Sequence, residues 1–150
     1  MIALASDHTG LELKKEFILM LKEMNLEYKD FGTTTPERTD YTCFGYPAAL
    51  AVASGECEKG ILICGTGIGM SLAANKVKGI RCAVCSDCYS AVLSRQHNNA
   101  NMLALGARVV GPELAKMIVR LWLETAYEGG RHQIRLDHIS QIESGKVQFV

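Results

Sequence analysis

The 150-residue chain carries no net charge, its 16 Lys and Arg offsetting 16 Asp and Glu. It therefore has no global field to draw in nucleic acid or a membrane surface, and any recognition of an anion must be local. It has no apolar run long enough to cross a bilayer. Its first residues, Met1-Ile2-Ala3-Leu4-Ala5-Ser6-Asp7, lack the basic start and small-residue cleavage site of a secretory signal, and residues 2–5 read as a buried strand. A cytoplasmic location is expected. There is no internal repeat, low-complexity stretch or linker, so a single domain over residues 1–150 is expected, with 48% hydrophobic residues to fill its core.

Six cysteines are present, but the chain is not short and loop-rich, so reduced thiols are expected in place of a disulfide framework. The spacing Cys82-x-x-Cys85-x-x-Cys88 occurs in iron–sulfur proteins. Here it begins in a strand-like run, Ile80 to Cys85, where Cys82 and Cys85 would point to opposite sides. Small buried hydrophobes are the better reading of these thiols.

Apolar runs alternate with helical periods along the whole chain. Strands are expected at 2–6, 26–31, 60–64, 80–85 and 102–106. A helix over 10–24 carries Leu13, Phe17, Leu21 and Met24 at helical spacing as a core stripe. Further helices are expected over 45–54 and 69–76, and from an Asp87 N-cap to about Gln96. Pro112 suits the first position of a fifth helix, with Leu114, Met117, Ile118, Leu121 and Trp122 as its apolar face. Strand followed by helix, five times over, predicts an α/β, doubly wound parallel sheet of five strands with helices on both faces. Residues 32–44 form a polar loop. Residues 129–135 follow the fifth helix, and an extra C-terminal helix reaching about Glu143 packs on its own domain or meets a partner subunit.

In such sheets ligands sit beyond the carboxyl ends of the strands, near the reversal of strand order. The first strand ends in Ser6-Asp7-His8, the third in Cys64 and the fourth in Ser86-Asp87. Gly65-Thr66-Gly67-Ile68-Gly69 is a glycine-rich turn opening a helix, whose free N–H groups suit a phosphate or a developing oxyanion; a plain strand–helix turn would use the same residues. Cys64, at a strand tip ahead of those amides, is placed as a base or nucleophile, or is a buried strand thiol. Ser94-Arg95-Gln96-His97-Asn98-Asn99 is polar for a helix end, and His97 is either a general acid or a favourable cation at a helix C-terminus. Arg131 and Arg135 share a face if their stretch is helical; they clamp a phosphate or form a solvated pair.

The stretches Asp7-His8, Glu37-Arg38-Thr39-Asp40-Tyr41, Gly60 to Gly69, Ala73-Ala74-Asn75-Lys76, Ser94 to Asn98 and Tyr127 to Gln133, in that order, resemble type B ribose-5-phosphate isomerases over nearly the whole chain. The resemblance implies a Rossmann-like fold and an aldose–ketose isomerase working as a homodimer or tetramer with active sites shared between subunits. Its substrate is a phosphorylated sugar, and no metal, nucleotide or other cofactor is implied. Cys64 matches the catalytic base. Thr66 and the amides of Gly65, Gly67 and Gly69 match the loop holding the enediolate. His97 matches the ring-opening acid, supplied with Asn98 by the partner. Asp7 matches a sugar-hydroxyl and ring-opening contact, Tyr41 a residue beside the sugar. His8, Arg131, Arg135 and, from the partner, Arg108 match the phosphate site.

Two positions depart from relatives. Met70 stands where some carry an acidic base, which favours Cys64, and Thr42 stands where proline often follows the Asp-Tyr pair. Related substrates are galactose 6-phosphate, whose isomerase divides its site residues between two different chains, and allose 6-phosphate. Readings of another class are a nucleotide-binding module, disfavoured because the spacing is GxGxG on the third strand, and a sugar-phosphate sensor without turnover.

Overall fold

A computed structural model of the chain describes residues 1–149. Alternation along the strands divides the core into two layers. Ile2 and Leu4 of β1 (Ile2–Ser6), Ile61 and Ile63 of β3 (Lys59–Cys64), and Leu103 and Leu105 of β5 (Met102–Gly106) face one layer. Ala3, Ala5, Leu62, Cys64, Met102 and Ala104 face the other. Burial on both faces is what a parallel sheet between two helical layers requires. β2 (Tyr28–Asp30) and β4 (Cys82–Val84) form the edges, the order is β2-β1-β3-β5-β4, and every pair is parallel. The five-stranded doubly wound sheet read from the sequence is therefore present.

On the first layer lie α1 (Leu11–Glu23), α4 (Cys88–Gln96) and α5 (Pro112–Glu124). On the second lie α2 (Thr42–Ala53) and α3 (Ile68–Ala74). The small strand residues Ala3 and Ala5 let the alanine-rich α2 approach the sheet closely. α6 (Arg131–Ser144) closes the chain and buries His132 and Leu136.

Several boundaries differ from the sequence reading. β2 and β4 are each three residues long, because edge strands pair on one side only. α2 starts at Thr42, inside the stretch read as loop, because the Tyr41 carbonyl accepts the Phe44 and Gly45 N–H groups. On α5 the buried stripe is Ala115, Ile118, Val119 and Trp122, whereas Leu114 and Met117 are exposed. Asp87 caps α4, its Oδ1 accepting the Ser90 N–H at 2.7 Å, and Pro112 opens α5, both as expected. Cys82 and Cys85 lie against opposite layers, which denies them a common ion. Burial pushes Cys82 up to about 12, and burial with the nearby Asp87 carboxylate pushes Cys85 up to about 11, so both stay thiols at neutral pH.

Candidate active site

At the finishing ends of the strands, Asp7 leaves β1 extended and caps a one-turn 3-10 helix, His8–Gly10. Its Oδ1 accepts from the Thr9 N–H at 2.9 Å, the Thr9 hydroxyl at 2.6 Å and the Gly10 N–H at 3.2 Å. This oxygen fixes the turn; the other has no hydrogen bond among the described residues. The turn presents His8, whose Nδ1 accepts the Thr39 N–H at 3.2 Å while the His8 backbone N–H donates to Thr39 Oγ1 at 3.3 Å. An accepting Nδ1 leaves the proton of the neutral ring on Nε2, the donor edge available to a ligand. Thr39 is a positioning residue that the sequence reading did not single out.

The loop carrying Thr39 and Tyr41 is tied down by a buried cation. Lys14 is 2% exposed, and its Nζ meets both Asp30 carboxylate oxygens at 2.9 and 2.7 Å and the Thr33 carbonyl at 2.7 Å. Asp30→Ala leaves that ammonium buried without its counter-charge and is expected to cost about 3 kcal/mol. Lys14→Met, which removes the buried charge and keeps the stem, is expected to cost less. Urea denaturation of the two variants checks the order; equal losses would mean that packing and not charge governs this contact.

Cys64 ends β3, 4% exposed, with its side chain on the α2–α3 layer. The chain then turns through Gly67 at φ 80°, ψ −18°, and the Gly67 N–H donates to Cys64 Sγ at 3.1 Å. A side chain at Gly67 would be strained by that φ and would meet the Leu105 backbone at 2.9 Å. Gly69 is required for a different reason: a Cβ there would stand 2.7 Å from the Tyr41 ring, which packs flat against the loop. Thr66 is exposed, and its Oγ1 accepts the Ile68 N–H at 3.3 Å. Met70 is fully buried beneath α2 and takes no part. Arg108 follows β5, and its N–H donates to the Gly65 carbonyl at 3.1 Å. Asp7, His8, Tyr41, residues 64–69 and Arg108 thus converge at one end of the sheet.

His97 does not join them. It is the C-cap of α4, which runs back towards the starting ends of the strands. There the Gly60 N–H donates to the Asn101 carbonyl at 2.9 Å, and Arg81 Nε to the Asn98 carbonyl at 3.1 Å. Gly60 and Cys64 are separated along β3 by roughly 13 Å at about 3.3 Å per residue. No rotamer of His97 covers that span, so one chain does not bring Cys64 and His97 into one site.

The His97 end has its own architecture. The His97 ring stacks on His132, with centroids 4.1 Å apart and planes at 11°. Glu128 Oε2 lies 3.9 Å from His97 Nε2 and 3.6 Å from His132 Nε2. The Glu128 N–H donates to the Gln96 carbonyl at 3.0 Å, fastening this segment to the end of α4. Buried Arg95 adds bonds to the Ala100 carbonyl at 2.6 Å and to Asn99 Oδ1 at 3.0 Å. Desolvation, then the neighbouring His97 and Arg131, hold His132 below the ordinary imidazole value. Arg131 and Arg135 open α6 one turn apart on this end, both exposed, as is Asn98. The family pattern led us to expect Arg131 and Arg135 with Cys64 and Arg108 with the partner's His97. Here the Arg108 backbone is bonded to the Cys64 loop, and α6, which carries Arg131 and Arg135, starts beside His97. Glu128 and His132 lie within the Tyr127 to Gln133 stretch, and their i, i+4 spacing across a helix start is the sequence signal for their pairing.

The model of the ribose/galactose isomerase family matches residues 2–139. The chain belongs to this family. Among relatives, ribose-5-phosphate isomerase B of Escherichia coli K12 is 58% identical over 142 residues, which is 95% of each chain. Among solved structures, ribose-5-phosphate isomerase B of Clostridium thermocellum superposes with a TM-score of 0.95 at 53% identity, over 96% of this chain and 97% of the other. The Mycoplasma genitalium ribose-5-phosphate isomerase B, solved with bound ribulose 5-phosphate, superposes with a TM-score of 0.92 at 43% identity, over 95% of both chains. The fold is thus shared with these solved structures over 95% or more of this chain.

Proposed function

We propose that this chain is an isomerase that interconverts ribose 5-phosphate and ribulose 5-phosphate by proton transfer, in an active site built from two copies of the chain. The observation that carries this reading is Cys64 Sγ at a buried strand tip, 3.1 Å from the Gly67 N–H, at the mouth of the glycine-rich turn. The full-length similarity to enzymes of that name sets the substrate class.

The chemistry sorts the residues. The substrate is mainly a closed ring, so a proton must reach the ring oxygen while one leaves the O1 hydroxyl. His97 of the second copy gives the proton, with Asn98 beside the sugar, and Asp7 holds the hydroxyl. Cys64, as thiolate, then takes the proton from C2. The electron pair moves into the C1–C2 bond and the carbonyl oxygen becomes an enediolate oxygen, stabilised by the loop amides of Gly65, Gly67 and Gly69 and by Thr66. A proton passes from the C2 hydroxyl to O1, and return of the carbon-bound proton from Cys64 to C1, as the C2 carbonyl forms, gives the ketose. The step is redox-neutral overall and balances without a nucleotide or metal. The phosphate takes no part in bond making; His8 and Arg108 from one chain, with Arg131 and Arg135 from the other, anchor it so that C1 and C2 lie beside Cys64. Tyr41 packs beside the sugar.

A surface for the second copy is available beside the Cys64 loop. Tyr46 and Leu50 on α2, and Ile68 and Leu72 on α3, form adjacent i, i+4 pairs that are 50%, 43%, 55% and 59% exposed. Leu72→Glu is expected to yield a monomer in sedimentation equilibrium, with turnover per chain falling about tenfold or more as assembly is lost. A monomer with full turnover would remove the need for a second copy. Among the described residues no helix is long and apolar enough to cross a membrane, and the reduced thiols fit a cytoplasmic enzyme.

The reading is tested by proton NMR of ribose 5-phosphate in D2O with the protein and a chelator. Ribulose 5-phosphate carrying deuterium at C1 is the expected product. Absence of turnover on this sugar, with turnover on allose 6-phosphate, would move the substrate to six carbons; absence on both would leave a binding protein.

A further inference from the structure

At the starting ends of the strands, His97, Glu128 and His132 each direct one ligand atom into a common space, all three within 4.8 Å of one another. We infer that this trio is a binding site for a divalent transition ion of the zinc class, and that the ion inhibits the isomerase. The inhibitory part rests on the proton-donor role proposed for His97; the site itself does not.

Two imidazole nitrogens and a carboxylate oxygen are a borderline donor set that selects zinc-like ions over magnesium and calcium. Three protein ligands at about 2.0–2.1 Å leave a fourth tetrahedral position for water or a substrate oxygen. That geometry places ligand atoms about 3.3 Å apart. Glu128 Oε2 already stands 3.6 Å from His132 Nε2 and 3.9 Å from His97 Nε2, so the trio closes by less than an ångström on those two edges. The two rings lie nearly parallel, so one of them must turn for both nitrogens to meet a single ion. Glu128, 51% exposed, follows on a segment continued by Gly129 and Gly130, both at positive φ. The bond from the Glu128 N–H to the Gln96 carbonyl keeps the carboxylate beside His97 throughout. Arg131 and Arg135 stand near His132 and oppose a cation. Glu128 supplies the one negative charge in the trio, which makes it the residue on which affinity depends most. An ion on the His97 lone pair prevents that ring from carrying the proton needed for ring opening, so inhibition follows from occupancy.

Cobalt(II) chloride titrated into the assembled protein, followed by visible absorption and calorimetry, tests the site. One ion per chain with ligand-field bands and no sulfur charge-transfer band is expected. Glu128→Gln, at an exposed position that tolerates the change, and His132→Asn should each lose the bands. Zinc chloride should lower wild-type turnover by about 100-fold at saturation, the scale of a lost general acid, with recovery on adding EDTA. Glu128→Gln should be insensitive relative to its own metal-free rate. Unchanged cobalt binding in both variants, a sulfur-ligated spectrum, or no binding by the parent would overturn the site. Cobalt bands lost in both variants, with parental turnover untouched by the ion, would uphold the site and remove the proton-donor role from His97.

Discussion

Cys64→Ala is expected to lower kcat on ribose 5-phosphate by about 10³-fold, within the range that a positioned acid–base group contributes. The substitution removes the proposed base and leaves His8, Arg108, Arg131 and Arg135 in place. Binding of a phosphate-bearing inhibitor should therefore change little, and the loss should fall on kcat and not on KM. The fold is a necessary control, because Cys64 is buried and its sulfur accepts the Gly67 N–H. Loss of that one bond costs about 1 kcal/mol, which leaves the variant folded and its thermal transition measurable. Cys64→Ser keeps an acceptor for the Gly67 N–H but substitutes a hydroxyl, a far poorer source of an anionic base at neutral pH. It should restore stability without restoring turnover. Steady-state kinetics on both variants decides the matter: turnover within tenfold of the parent would place the base elsewhere.

Much of the fold was legible because the signals were redundant. The buried strand over residues 2–6, the Asp87 cap and Pro112 at a helix start were each read from local residues, and the structure realises them. Edge strands and helix faces were less legible. Nothing local in Leu114 or Met117 distinguishes an apolar residue that meets the sheet from one left on the surface; the angle at which α5 packs sets the stripe, and it selected Ala115 and Val119 instead. The Cys64 loop could be read because a glycine-rich turn after a strand encodes its own geometry. The way the site divides between two ends of the sheet could not. His97 and Arg131 are neighbours only because α4 and α5 both run back to the starting ends of the strands, and Arg108 stays with Cys64 only because β5 lies beside β3. Those adjacencies belong to topology, which no single motif carries. The same holds for Lys14, an unremarked lysine on α1 that proves to be a buried pillar of the loop holding Thr39 and Tyr41.

The sharing of the site between copies is tested most directly by complementation. Cys64→Ala and His97→Ala chains are each expected to be inactive as pure assemblies. Mixed in equal amounts, unfolded and refolded together, half of the dimers are hybrids, and each hybrid rebuilds one of its two sites from the intact Cys64 of one chain and the intact His97 of the other. Activity should return to about a quarter of the parental value. The arrangement of the arginines makes the test finer: Arg131→Ala should complement Cys64→Ala but not His97→Ala, and Arg108→Ala should complement His97→Ala but not Cys64→Ala. Recovery in those pairings and in Arg108→Ala with Arg131→Ala, and in no other pairing of these four variants, is the result that this account predicts. A refolded mixture of Cys64→Ala and His97→Ala that stays as inactive as its parents, while verified to contain hybrids, would contradict it.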